Sequence, residues 1–315
     1  MQGFNLPYQP IPQKLYTPAD LFQGFEPDVP ATWSQTRDFE IYRHFVTNGR
    51  PTGGNPYMGM MQALHDSAIS EATSAYIEGR KVAAIIGDHE MARDSAAYRK
   101  AVLLARRLTR GGFLLCTGGG PGAMEAGHLG AAFAGGTDSD LDGALARLGT
   151  QPVVPALRGI VNASGVVDVS LVAAASAWFK PAFELATTLH SPGESLAIPT
   201  WQYGHEPPTP FATHIAKYFQ NSIREDGLLA IARHGIICME GKAGTIQEIF
   251  QDSAQNYYQL FGGFSPMVLF GVEYWTTTYP IVGVLQKMFA AQFAKYVLVT
   301  DCVEVAAEFI EQFRG

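Results

Sequence analysis

The sequence predicts an α/β protein with a Rossmann-like three-layer sandwich, a mainly parallel sheet covered by helices on both faces. Three observations carry that expectation. From Arg80 onward, short apolar runs alternate with helical stretches. Two of those runs end directly in glycine-rich turns, at 118–122 and 241–245. Each turn then opens a helix. Parallel strands need long crossover connections, so this alternation builds a parallel sheet with helices packed on either side.

The elements follow in order. Residues 82–86 form a buried strand ending at Gly87-Asp88-His89. Asp94 or Ser95 caps a helix running to Arg110, which Gly111-Gly112 stops. Residues 113–116 make the second strand, followed by Thr117-Gly118-Gly119-Gly120 and a helix opened by Pro121, whose missing N–H costs nothing at a first helical position. Further strands are expected at 195–198, 235–239, 267–270 and 296–299, with helices at 210–232, 245–260, 276–292 and 302–313.

Two regions depart from this rhythm. Residues 1–35 carry Pro7, Pro10, Pro12, Pro18, Pro27 and Pro30, a density that blocks helix and central strand alike. An irregular arm is expected, whose Phe4, Tyr8, Leu15, Tyr16, Leu21 and Phe22 want cover from this chain or from a partner subunit. Helices at 37–47 and 57–78, split by a turn-rich 49–56, complete an N-terminal unit of residues 1–75. The Rossmann-like unit is 76–315, with a largely helical insertion at about 137–193 lying near the ligand edge of the sheet.

Composition narrows the function. The chain has 315 residues, is 47% hydrophobic and carries a net charge of −7. No Lys/Arg-rich run offers the basic face that nucleic-acid binding requires. No run of about 18 apolar residues exists to span a membrane, and residues 1–14 lack the basic and apolar regions of a signal peptide. A cytoplasmic protein is expected. Cys116, Cys238 and Cys302 are too far apart for a zinc or disulfide framework, and no metal or cofactor is called for.

The 118–122 turn joins a strand to a helix, and the amides and dipole of a helix N-terminus favour phosphate. Gly118, Gly120 and Ala123 formally fit the dinucleotide fingerprint, with Asp138 near the expected distance for a ribose-binding acid. That acid should end the next strand, and 126–140 contains none, so NAD is rejected. The 241–245 turn repeats the design. Thr245 and Glu248 have the T-x-x-E spacing of a capping box, which leaves Glu248 two readings, helix cap and catalytic carboxylate.

With both turns in view, the chain resembles the LONELY GUY family of nucleotide phosphoribohydrolases over about residues 80–300. The first motif reads Gly118-Gly119-Gly120-Pro121-Gly122-Ala123-Met124-Glu125, and the second Glu240-Gly241-Lys242-Ala243-Gly244-Thr245-Ile246-Gln247-Glu248. Arg224 stands at close to the spacing of the family's helical arginine. Glu240 replaces a proline and Lys242 a glycine of the motif, Glu225 follows Arg224 where lysine is usual, and the first strand ends in Gly87-Asp88-His89-Glu90 instead of a small Ser/Gly loop.

The resemblance implies hydrolysis of a nucleoside 5′-monophosphate to free base and ribose 5-phosphate, or, from related folds, a non-catalytic carrier of a nucleotide or the molybdenum cofactor. It implies Glu248 as the carboxylate at the anomeric carbon, Arg224 as its orienting cation, and a homodimer. Gly118, Gly119, Gly120, Gly122, Met124, Gly241, Gly244 and Thr245 would line the phosphate and nucleotide site, with Lys242 as an added cation. Gly87 and His89 lie at a strand end where such sheets place ligands, His89 having a structural hydrogen bond as its other reading. Trp201 or Tyr203 could stack on the base, or simply pack in their loop.

Overall fold

A computed structural model gives the fold, and it describes residues 6–49 and 55–314. Phe4 and positions 50–54 of the expected turn lie outside the described residues. Seven strands form one all-parallel sheet: β1 Lys81–Ile86, β2 Phe113–Thr117, β3 Ser195–Ala197, β4 His214–Ile215, β5 Ile236–Cys238, β6 Met267–Phe270 and β7 Val297–Thr300. Their spatial order is β4-β3-β2-β1-β5-β6-β7. The chain winds outward one way from β1 to β4, returns to the other side of β1 and winds outward again. The order therefore reverses between β1 and β5, the switch point beside which doubly wound sheets bind ligands.

The helices are α1 Pro18–Leu21, α2 Arg37–Asn48, α3 Pro56–Ile77, α4 Ala96–Arg110, α5 Ala123–Ala132, α6 Asp138–Leu148, α7 Val169–Thr188, α8 Asn221–Ile231, α9 Ala243–Tyr257, α10 Val282–Phe289, α11 Phe293–Tyr296 and α12 Val303–Gln312. The strands are buried almost throughout, and the core splits into a cluster on each face of the sheet, as three layers require. Ser95, not Asp94, caps α4, its side chain accepting from the Tyr98 N–H. No described helix is long and apolar enough to cross a membrane.

Three expected elements change. The helix expected over 210–232 is a two-residue edge strand, an extended run and then α8 from Asn221. Nearly every residue from Phe211 to Phe219 is buried, so this edge shows no strand-like alternation to read. The helix expected over 276–292 begins as a π turn at Tyr274–Thr278 and restarts as α10 after Pro280. Pro121 does not open α5, because Gly122 is its N-cap.

The N-terminal arm is part of the core. Tyr8, Leu15, Tyr16, Leu21 and Phe22 are all buried within this chain, so they leave no apolar strip for a partner. Tyr16 pairs antiparallel with Ile215, giving and accepting backbone bonds of 3.0 and 2.7 Å, and covers the exposed side of β4. The arm's helices also send two carboxylates inward. Asp38 on α2 accepts from the buried Lys217 ammonium at 2.7 Å and from the Trp201 indole N–H at 3.1 Å. Asp66 on α3 accepts from the backbone N–H groups of Phe219 and Gln220 at 2.9 and 2.8 Å.

Burial lowers the Lys217 pKa, and Asp38 opposes that shift. Removing Asp38 leaves an unpaired ammonium in the core. Asp38→Ala should therefore lose about 3–5 kcal/mol in urea unfolding, and adding Lys217→Met should restore most of it. A double variant as unstable as the single one would show that the cost lies in arm packing and not in the charge.

Candidate active site

The site forms at the carboxyl ends of β2, β3 and β5, where two loops and the first turns of two helices meet. It starts from a steric vacancy. A Cβ on Gly118 would lie 1.9 Å from Arg224 Nη2 and 2.7 Å from Met124 Sδ. The Arg224 guanidinium thus points end-on, through Nη2, into space that any side chain at 118 would fill. Its Nε donates to the Ile198 carbonyl at 2.7 Å, just past β3, which fixes the fork. Nη1 stands 3.5 Å from Glu248 Oε1.

Both members of this ion pair are nearly buried, with side chains 11% and 13% exposed. Burial raises the Glu248 pKa from 4.5 to about 7, Arg224 pulling it back down and Glu225 adding to the rise. The capping-box reading of Glu248 does not hold. Helix α9 begins at Ala243 with Lys242 at its N-cap and no side-chain cap, so Thr245 sits inside the first turn and Glu248 in the second. Thr245 is instead buried against Gly241, whose Cβ would fall 2.2 Å from Thr245 Oγ1.

Arg224 is placed from a distance. Gln220, the N-cap of α8, makes no side-chain cap; the Asp66 carboxylate instead pins the chain entering the helix by accepting the N–H groups of Phe219 and Gln220. Asp66 is held in turn by His65 at 3.2 Å, and His65 by the Tyr16 hydroxyl at 2.8 Å. Beyond Arg224, Glu225 and Asp226 accept from Gln247 and Gln251, lacing α8 to α9. The Glu225 departure from the family pattern thus has a structural use here.

The first turn is closely packed. Gly122 has a φ of +67°, and a Cβ there would fall 2.2 Å from the Asp88 carbonyl oxygen. That oxygen accepts the Ala123 N–H at 3.0 Å, so the β1 loop sits on the start of α5. Gly87 packs against Ala123 and Met239, and Gly119 against Ala197 and Pro199. The Gly119 N–H donates to Thr117 Oγ1, which also bonds the buried His128. Burial lowers the His128 pKa to about 3, so a neutral ring holds this turn from behind. Met124 folds back over Gly118 and Gly120. All four glycines of this turn are buried, and each meets protein where a side chain would be.

The second turn is open. Gly244 is exposed and has nothing within 4 Å of a Cβ position, and no side chain caps the start of α9. Lys242 crosses to the β1 loop, where its ammonium meets Glu90 and lies 3.8 Å from Asp88. His89 is half exposed beside Asp88. Glu240 turns away, its carboxylate 3.0 Å from the Cβ position of Gly271, so neither motif departure blocks the cleft between Arg224 and Gly244.

Trp201 is fully buried, stacks on Phe219 at 4.5 Å and binds Asp38, so it is a core residue and unable to reach a base. Tyr203 stays exposed. His214 lies on β4, not on a helix. Sequence reasoning passed over Glu206, which stands over Gly120, with a Cβ there 3.4 Å from Glu206 Oε2; its place in the segment after a strand end was the available signal. It gave no weight to Asp66, whose role depends on a contact far along the chain. Comparison with protein-family models and with curated proteins finds no match.

The raised pKa of Glu248 sets a pH dependence of stability. The folded protein holds a proton that the unfolded chain releases near pH 4.5, so the contribution is full below that pH and is lost as pH rises through about 7. Glu248→Gln keeps the neutral form at every pH. Urea unfolding should show the variant more stable than wild type at pH 8, by at most about 3 kcal/mol, with the two converging at pH 5. A gap independent of pH would contradict this.

Proposed function

We propose that this chain hydrolyses the N-glycosidic bond of nucleoside 5′-monophosphates, as the LONELY GUY family it resembles does. The observation that carries the reading is the buried Arg224–Glu248 pair lying against Gly118 at the carboxyl edge of the sheet. It unites the two glycine motifs and the helical arginine in one cleft, and it gives Glu248 a pKa suited to proton transfer near neutrality.

The ligand's parts divide between the two turns. Phosphate belongs at the start of α9, where Gly244 is exposed, no side chain caps the helix and the helix dipole favours an anion. The ribose then lies toward Arg224 and Glu248. Ionised Glu248 accepts a proton from water as the water oxygen bonds to the anomeric carbon. The C–N bond breaks with its electron pair leaving on the base, which takes up one proton from solvent water while Glu248 returns its own proton to solvent, restoring the carboxylate. Positive charge grows on the sugar during this step, and a carboxylate beside it stabilises that charge. Arg224, anchored through Nε, keeps its two terminal nitrogens for orienting Glu248 and the ligand.

Purified protein incubated with AMP, GMP, CMP and UMP should release free base from at least one of them. Glu248→Gln should lower kcat by about 10²- to 10⁴-fold with ligand still bound. The rate should climb with pH through about 7 as Glu248 ionises. Unaltered nucleotide at high protein concentration would sink the hydrolase, and retained binding with no turnover in wild type would support a carrier instead.

Gly118→Ala gives a separate check on the geometry. The new methyl would fall 1.9 Å from Arg224 Nη2, so the variant should lose nucleotide affinity much as Arg224→Ala does. The double variant should be no worse than either single one, because both remove the same contact. Additive losses would mean that Gly118 acts without Arg224.

A further inference from the structure

Glu206 is a carboxylate beside the first glycine turn that the proposed reaction leaves idle. It lies on the loop after β3, which is fastened across the first glycine turn by a bond of 2.9 Å from the Thr209 N–H to the Gly119 carbonyl. Its side chain is three-quarters buried, with 25% exposed, and Oε2 lies over Gly120. Among the described residues no donor reaches hydrogen-bond distance of its carboxylate; His205 Nε2 comes nearest among its ion-pair partners, at 4.0 Å. Burial raises its pKa, while His89, Arg224, Arg158 and Lys217 pull the other way and favour the charged form.

A carboxylate that is three-quarters buried, has no protein donor among the described residues and still reaches solvent is free to take donors from a ligand. If it served to plug the phosphate cradle, the free amides of α5 would bind it. Instead the Ala123 N–H goes to the Asp88 carbonyl. A phosphate placed beside it would be repelled. What its two oxygens call for is a pair of donors, and a vicinal diol supplies two hydroxyls at matching separation.

We propose that Glu206 binds the ribose 2′,3′-diol of the ligand, one hydroxyl to each carboxylate oxygen. The inference rests on the nucleotide reading above. It assigns the first glycine turn to the sugar and the second to the phosphate. A Cβ at Gly120 would fall 3.0 Å from the Met124 methyl and 3.4 Å from Glu206 Oε2, so Glu206 sits in contact range of this turn, and it makes the site select ribonucleotides over nucleotides that lack the hydroxyls.

The test measures binding of AMP and of 2′,3′-dideoxy-AMP by calorimetry in full-length Glu248→Gln protein, where turnover is suppressed. The expected result is a preference for AMP of about 10- to 100-fold, the range for losing hydrogen bonds to a charged group. Adding Glu206→Ala should reduce that preference to near one, chiefly by weakening AMP, while Glu206→Gln keeps part of it. Equal weakening of both ligands would make Glu206 a mere loop support and overturn the proposal. So would equal affinity for both ligands before Glu206 is touched, with the nucleotide reading left standing. Protein that binds neither ligand, nor any other nucleoside monophosphate, overturns both.

Discussion

The contact on which this site depends is the one between a guanidinium and a missing side chain. Arg224 and Gly118 belong to different crossovers, and the arginine occupies space that the glycine vacates. Once the fork lies there, with Nε spent on Ile198, its reach to Glu248 is determined. Arginine suits the place better than lysine, since its fork can send Nη2 toward Gly118, Nε to Ile198 and Nη1 toward Glu248 at once. Burial then raises the Glu248 pKa, and Arg224 keeps it from rising further. Stability and the proposed chemistry pull in opposite directions here: ionisation, which the proposed reaction needs, is what the buried position resists.

The N-terminal residues are the scaffold for that contact. The chain entering helix α8 is pinned by Asp66 from α3, which accepts the Phe219 and Gln220 N–H groups. Holding those two residues fixes both where α8 begins and how it is rotated, and rotation decides where Arg224 points. Asp38 and Lys217 make a second attachment beside β4, and Tyr16 a third along its edge. Removing water from Asp38 and Lys217 costs about as much as their attraction returns, so such a pair adds little net stability while penalising any misdocked arm.

How much of this was legible in the sequence follows from the range of each interaction. Strands β1, β2, β3, β5 and β6 could be read because each is a short apolar run bounded by glycine or proline, a local signal, and β7 because its Val297-Leu298-Val299 run is apolar and carries β-branched valines. Both glycine turns were visible for the same reason. Strand β4 was not, since an edge buried on both sides by the arm has no alternation. The Thr245-x-x-Glu248 spacing was read as a possible cap, yet the chain enters α9 two residues earlier, at Ala243, because Gly241 lets the backbone pack onto Thr245. The first turn looked like an open cradle, and its glycines instead admit Arg224, Met124, Glu206 and the β1 loop. Glycine in a sequence says that something comes close to the backbone; it does not say whether that is ligand or protein.

A raised pKa alone would have pointed to two places on one helix. Asp252 follows Glu248 by one turn of α9, and burial lifts its pKa to about 7 as well. It lines a cavity of about 670 Å³ at the opposite edge of the sheet, beside Lys81, Phe113 and His234. Size would favour that cavity as a site. Chemistry favours the other edge. Asp252 is held by Asn256, a neutral partner on its own helix, and the strands begin there, so the starts of α5 and α9 point away from it. Glu248 faces a fixed cation, two glycine turns and an uncapped helix start. The difference lies in what surrounds each carboxylate and not in how far its proton affinity has moved. Two groups of equal acidity on one helix can thus have unequal claims to catalysis.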